Sequence, residues 1–320
     1  MASNDDNWTS EALTQVLTET LKEQKRTRRW RTLGRLLMFF VVGFILFNIM
    51  LTSKNSDFIK KDVNKPHTAL IEVTGEIDQG AFYGSAENVI EALQKAYEQK
   101  NVKGVILALH SPGGSPVQSD LIYNEIKRLQ SQDKRGRKVY AVVSDLCASG
   151  CYYIASAAQE IHANELSTVG SIGVIASQFG FVELIKKLGV DRRVHIAGKY
   201  KDFLDPFLPE SAETKAIIQE HIDSIHQVFI SKVKAGRQGR LKNDPLLFSG
   251  LFWTGSQSLN LGLIDGFKTK SEIAKEVFHA ENIIDYTRKQ SFSDLVSENM
   301  SGVSGTRLNN LKQFLSIINY

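Results

Sequence analysis

Three side chains able to act as nucleophiles fall within five residues: Cys147, Ser149 and Cys151 in "SDLCASGCYYIASAA", 144–158. Ser149 has Ala148 and Gly150 as neighbours, and the apolar run "VYAVV" leads into it. A nucleophile on a sharp strand-to-helix turn needs small neighbours, because the backbone must bend there and a substrate must approach. The competing reading is a serine that only caps a short helix of small residues. A second stretch, "LHSPGGSPVQSD" (109–120), has Ser115 as an N-cap followed by Pro116 at the first helical position. Gly113 and Gly114 precede that cap, leaving bare N–H groups at the positive end of a helix, a suitable place for an oxyanion. The amide of Gly150 would face the same way as the Ser149 hydroxyl and complete an oxyanion hole with Gly114. Taken alone, Pro-Gly-Gly is equally a tight turn that needs glycine's freedom.

A serine needs a base. His162 and His195 lie in short apolar runs typical of structural histidines, whereas a desolvated lysine loses its charge and serves as a base near neutral pH. "HIAGKYKDFLDPF" (195–207) offers Lys199 and Lys201. Nothing in the residue pattern separates the two.

The elements that would position these groups alternate between strand and helix. Strands are expected at 68–73, 104–109 and 138–144, near 160–163 and 171–175, and at 192–197. Helices are expected at 85–99, 116–131, 149–158, 179–189 and 211–236. Apolar strands too short to be helices, alternating with helices, indicate an α/β fold of parallel β-α-β units. Ligand sites in such sheets gather at the carboxyl ends of the strands.

Charge sets the remaining organisation. The net charge is +4 over 320 residues. Residues 22–35 hold seven basic side chains and one acidic, a local balance of +6, so the rest of the chain sums to −2. A general nucleic-acid footprint is therefore not supported. The uncharged run "LLMFFVVGFILFNIML" (36–51) follows directly. With its flanks it gives a single transmembrane helix at 34–52, close to the ~20 residues that span a bilayer. No small-x-small cleavage site follows it, so it reads as an uncleaved anchor and not a signal peptide. The basic flank places residues 1–33 in the cytoplasm and everything after residue 52 outside it. A polar linker spans 53–65, the folded domain 66–294, and a polar, loosely attached tail 295–320.

The motifs "ALHSPGGS", "CASGCYYIASAA", "STVGSIGVI", "AGKYKDFLDPF" and "WTGSQSLNLGLIDG" occur in this order. Together, over about 68–268, they resemble the short form of the signal peptide peptidase A family. These are membrane-anchored serine proteases with a Ser–Lys dyad on a ClpP/crotonase-like fold of repeated β-β-α units. The resemblance implies Ser149 as nucleophile, Lys201 as general base, Gly114 and Gly150 as oxyanion donors, and Ser171 as the residue orienting the lysine. It further implies a homo-oligomeric ring in which a neighbouring protomer supplies the lysine. Substrates would be signal peptides or other apolar polypeptides at the outer face of the inner (plasma) membrane. No metal, cofactor or nucleic acid is implied. The chain departs from the family pattern at Cys147, Cys151 and His110, where Ala, Gly and Asn are usual. The cysteines have no evident histidine partner and are expected as packed free thiols lining the pocket, because a bridge across so tight a turn is awkward. A crotonase-type acyl-CoA enzyme and a catalytically silent membrane scaffold are the alternatives from other functional classes.

Overall fold

The computed structural model describes residues 28–44, 47 and 63–289. The chain divides into two units, Met1–Asp62 and Val63–Tyr320. In the first, residues 28–44 are helical and expose an apolar series that includes Leu36, Leu37, Phe39 and Phe40. Among the described residues no helix is long and apolar enough to cross a membrane. Residues 45, 46 and 48–52 of the expected anchor lie outside them, as do 1–27, 53–62 of the linker and 290–320, including the whole expected tail.

The second unit is a mixed α/β structure built on one sheet. Its centre is three long parallel strands, β1 (His67–Thr74), β2 (Val102–Ser111) and β3 (Val139–Ala148). β2 is buried on both faces along "GVILAL", which is why it reads as a continuous apolar run and not as an alternation. Four strands of three residues extend the sheet: β4 (Glu160–His162), β5 (Thr168–Gly170), β6 (Phe252–Thr254) and β7 (Ile283–Asp285). The order is β6-β5-β3-β2-β1-β7, and β4 also pairs with β3. β4 takes the first half of β3 and β5 its last three residues, Leu146–Ala148. Only β6 runs antiparallel to its neighbour.

Period-two alternation divides the core between the two faces of the sheet. Val105, Leu107 and Leu109 pack with Leu93, Ile122 and Ile126 of the helices α1 (Ala86–Glu98) and α2 (Pro116–Gln132). Ile106, Tyr140 and Val142 meet Ile273, Ala274 and Phe278 on the opposite face. α1 buries Val89, Ala92, Leu93 and Ala96, the three-and-four spacing of one helical stripe. The expected cap of α2 is present: Ser115 Oγ accepts from Gln118 N at 3.4 Å, and Pro116 opens the helix. A six-residue helix, α3 (Gly150–Ala155), follows Ser149. Next come α4 (Val182–Lys187), the long α5 (Ala212–Arg237) and α6 (Gly255–Leu261). Arg237, fully buried at the end of α5, is held by both oxygens of Asp265 at 2.7 and 2.9 Å.

Two expected strands are corrected. The strand near 171–175 is β5, three residues earlier, because Ser171 takes a left-handed φ of 53° and turns the chain out of the sheet. Residues 192–197 form no strand. "RRVHIA" finds no neighbour to pair with, and His195 is exposed. A periodic pattern alone does not supply backbone partners.

Candidate active site

The carboxyl ends of β2, β3 and β5 converge, with Ile77 beyond the end of β1 beside them. Ser149 follows β3 with φ 53° and ψ −123°, a conformation strained for any residue with a Cβ. Its own N–H donates to Gly170 O of β5 at 2.8 Å, and its carbonyl accepts from Tyr153 N at 3.0 Å. The backbone is thus gripped on both sides while the half-buried side chain is turned out. No side chain among the described residues hydrogen-bonds the Ser149 hydroxyl.

Gly113 and Gly114 form the opposite wall. Ile77 N donates to Gly113 O at 2.8 Å and Ser115 N to Ile77 O at 2.7 Å, a single bridge that fixes the loop and leaves the Gly114 N–H without an acceptor among the described residues. A Cβ on Gly113 would come within 2.8 Å of both the Ser149 Cβ and Gly150 N, and a Cβ on Gly114 within 2.3 Å of Ile77 O. Glycine is required because two backbones approach at this point. A Cβ on Gly150 would sit 3.4 Å from Gly114 N, so the two amides are close neighbours. The Gly150 N–H, first in α3, also lacks an acceptor among the described residues. Ser149, Gly114 and Gly150 therefore lie together.

They open into a cleft of ≈ 630 Å³ with walls from α2, the 173–175 segment and α5. The lining is mainly apolar, with Val117, Leu121, Ile175, Ile225, Val228 and Phe229. Asp120, Tyr153 and His221 are its titratable members, and none of the three is among the site residues expected from the sequence. The spacing of His221, Ile225 and Val228 marks one face of α5 and carried that signal. Asp120 Oδ1 accepts from Tyr153 Oη at 2.7 Å and lies 3.0 Å from Lys232 Nζ. Burial pushes the Asp120 carboxyl up, but hydrogen bonds from Tyr153, Lys232 and Asn124 and the charge of Lys232 hold it below the usual carboxylate value. Burial and the neighbouring Asp120 raise Tyr153, keeping its phenol a neutral donor. Asp120 is thus a charged group already committed to partners.

The remaining candidates lie elsewhere. His162 is buried, within 3.1 Å of Glu160 Oε2 and stacked on Tyr140, which gives it a structural role. Lys199 Nζ donates to Tyr200 Oη at 2.8 Å and Glu213 Oε1 at 2.9 Å. These bonds, Tyr200 first and then Glu213, raise its pKa and hold it protonated. Lys201 sits in an exposed turn, its N–H donating to Gly198 O at 3.0 Å, and is not among the residues lining the cleft. Ser171 directly follows the Gly170 that receives the Ser149 amide. Among the described residues no group of three or more His, Cys, Asp or Glu is placed to hold a metal ion.

One expectation is overturned. Cys147 and Cys151 are not free thiols but form a disulfide, with Cα atoms 5.1 Å apart. The sharp turn at Ser149 folds α3 back on the end of β3 and brings the two Cα atoms within the range a disulfide spans.

A hydroxyl on a strained elbow beside two bare amides suits acyl transfer, with attack by Oγ and the oxyanion received by the N–H groups. That chemistry is the province of the serine hydrolases. Comparison with known proteins narrows the class. Residues 131–283 match the model of peptidase family S49. A Synechocystis protein whose name marks it as a candidate protease is 35% identical over 66% of this chain and 73% of its own length. A chloroplastic serine protease SPPA of Arabidopsis thaliana is 34% identical over 60% of this chain and 28% of its own. A Na⁺/H⁺ antiporter NhaA of Brucella melitensis shares 50% identity over 54% of this chain, but the chain spans only 23% of the antiporter. The chain belongs to peptidase family S49, the SppA-type proteases.

Proposed function

We propose that the protein is a membrane-anchored endopeptidase that degrades signal peptides or other apolar polypeptides through a Ser149–Lys201 dyad. The peptidase domain, 66–294, would be ClpP/crotonase-like and lie on the extracytoplasmic face. A single pass at 34–52 would hold it in the inner (plasma) membrane, with residues 1–33 cytoplasmic. The observation carrying this reading is the strained Ser149 beside the bare Gly114 and Gly150 amides at the mouth of an apolar cleft. Ser149 attacks the peptide carbonyl while neutral Lys201 takes its proton. The Gly114 and Gly150 amides receive the oxyanion, protonated Lys201 gives its proton to the amine as the C–N bond breaks, and Lys201, neutral again, takes a proton from the water that releases the acyl group. Ser171 orients the lysine.

Lys201 would come from a neighbouring copy in a homo-oligomeric ring. In support, no residue from 173 to 228 is buried, and this stretch exposes Ile175, Phe179, Leu188 and Val190. So much apolar surface marks an interaction face. Incubating the full chain in detergent micelles with an apolar signal-peptide substrate should give cleavage, and a peptidyl phosphonate should label Ser149. Failure of both would sink the proposal. Lys199→Ala should keep kcat/KM within about threefold of wild type, the effect of losing one exposed ion pair. A loss as complete as that of Lys201→Ala would move the base to Lys199.

A further inference from the structure

The disulfide between Cys147 and Cys151 encloses Ser149. Cys147 lies within the sheet, paired in register with Ser111 of β2 and Val169 of β5, and Cys151 is the second residue of α3. Both are fully buried. Between them Ser149 holds its left-handed φ of 53°. Such a conformation persists only where the surroundings over-determine it.

We propose that this disulfide is a positioning device for the nucleophile: it ties the start of α3 to the sheet and holds the Ser149 elbow in its reactive geometry. The inference rests on the reading of Ser149 as nucleophile. Ladder pairing on both sides gives one end of the bond a rigid anchor, and the other end is the first turn of a six-residue helix. The body of this helix is held by burial of all six residues and by bonds from Tyr152 Oη to Leu263 O and from Tyr153 Oη to Asp120 Oδ1, so what the disulfide adds is a covalent tie at the first turn, next to Ser149. Among the described residues, two hydrogen bonds, to Gly170 O and from Tyr153 N, otherwise restrain the Ser149 backbone. The bond also directs the Gly150 amide, which lies between Ser149 and Cys151. Its sequence separation is four, so it removes little freedom from the unfolded chain. Its effect is therefore concentrated on the elbow and not on overall stability.

The test compares the full chain with Cys147→Ala, Cys151→Ala and the double variant. The readouts are the rate of phosphonate labelling at Ser149, kcat and KM on an apolar peptide, and the melting temperature. Each single variant should slow labelling and lower kcat about tenfold, with KM little changed. The double variant should be no worse than either single one, because one bond is lost in all three. Denatured wild type should titrate with no free thiol. Labelling rates within about twofold of wild type, additive losses, or two titratable thiols in wild type would overturn the inference. Should a variant lose its cooperative melt, wild type is refolded in dithiothreitol and assayed again after reoxidation by oxidised glutathione. In the first step the dithiol gives two electrons and two protons to the bond and itself becomes a cyclic disulfide. Equal labelling rates in the two samples overturn the inference. Wild type that takes no label at all, or label that persists in Ser149→Ala, brings down the nucleophile assignment itself and so separates the two failures.

Discussion

Two inactive chains, Ser149→Ala and Lys201→Ala, should recover peptide cleavage when they are co-assembled. Each alone should fall at least about 10⁴-fold in kcat, since nucleophile and base act as a unit. The expectation of recovery follows from where the lysine lies. Lys201 is exposed in the turn after Gly198, outside the cleft that holds Ser149, and the Ser149 hydroxyl has no side-chain partner among the described residues. If the base arrives from a neighbour, a site works wherever a chain with intact Ser149 abuts a chain with intact Lys201. Random co-assembly of equal amounts produces that pairing at about one site in four, so activity near a quarter of wild type is expected. The assay is peptide cleavage by chains unfolded together and refolded as a mixture, with sedimentation to confirm assembly. Normal assembly without recovered activity would return the base to the same chain as the serine.

The same experiment separates the peptidase from a crotonase-like reading of its amides. Two backbone donors stabilise an enolate as readily as a tetrahedral oxyanion. An enolate mechanism, however, has no use for a hydroxyl placed on a strained turn. A silent scaffold has no use for the strain, which costs about 1–3 kcal/mol wherever it occurs.

The site was legible in the sequence where local chemistry determines it. Ser115-Pro116 announces a helix start, and small residues around Ser149 announce a tight turn, because sterics and capping act over a few neighbours. The long strands β1, β2 and β3 were legible for a related reason: burial on both faces leaves an uninterrupted apolar run. β6 and β7 were not, since three-residue strands are defined by β5 and β1 beside them and not by their own residues. "RRVHIA" misled in the opposite sense, having the pattern of a strand but no partner. The disulfide escaped because its geometry depends on how far the Ser149 turn folds back, a property of two dihedral angles and not of residue type. His221 was hidden for a simpler reason. The face of α5 on which it lies looks across the cleft to α2 and the 173–175 segment, elements far apart in sequence.

Gly114→Ala should cost about 10²–10³-fold in kcat, the loss of one oxyanion donor. Two features of the position set this size. Gly114 has φ 147°, and an added Cβ would lie 2.3 Å from Ile77 O and 2.9 Å from Ile77 C and N. Those are backbone atoms, and Ile77 is fastened to the loop by its bonds with Gly113 and Ser115. No side-chain rotation relieves the clash, so the loop must move away and carry the Gly114 amide with it. Gly136→Ala is the control. It too has a left-handed φ, 66°, but with open space around it and no part in the cleft. That substitution should cost about 1–2 kcal/mol of stability, the strain of a left-handed alanine, and leave kcat unchanged. Measuring kcat beside the melting temperature for both variants distinguishes the effects. A folded Gly114→Ala chain with kcat within about tenfold of wild type would remove Gly114 from the oxyanion hole. In that case the Gly150 amide, at the positive end of α3, would be left to receive the developing charge alone.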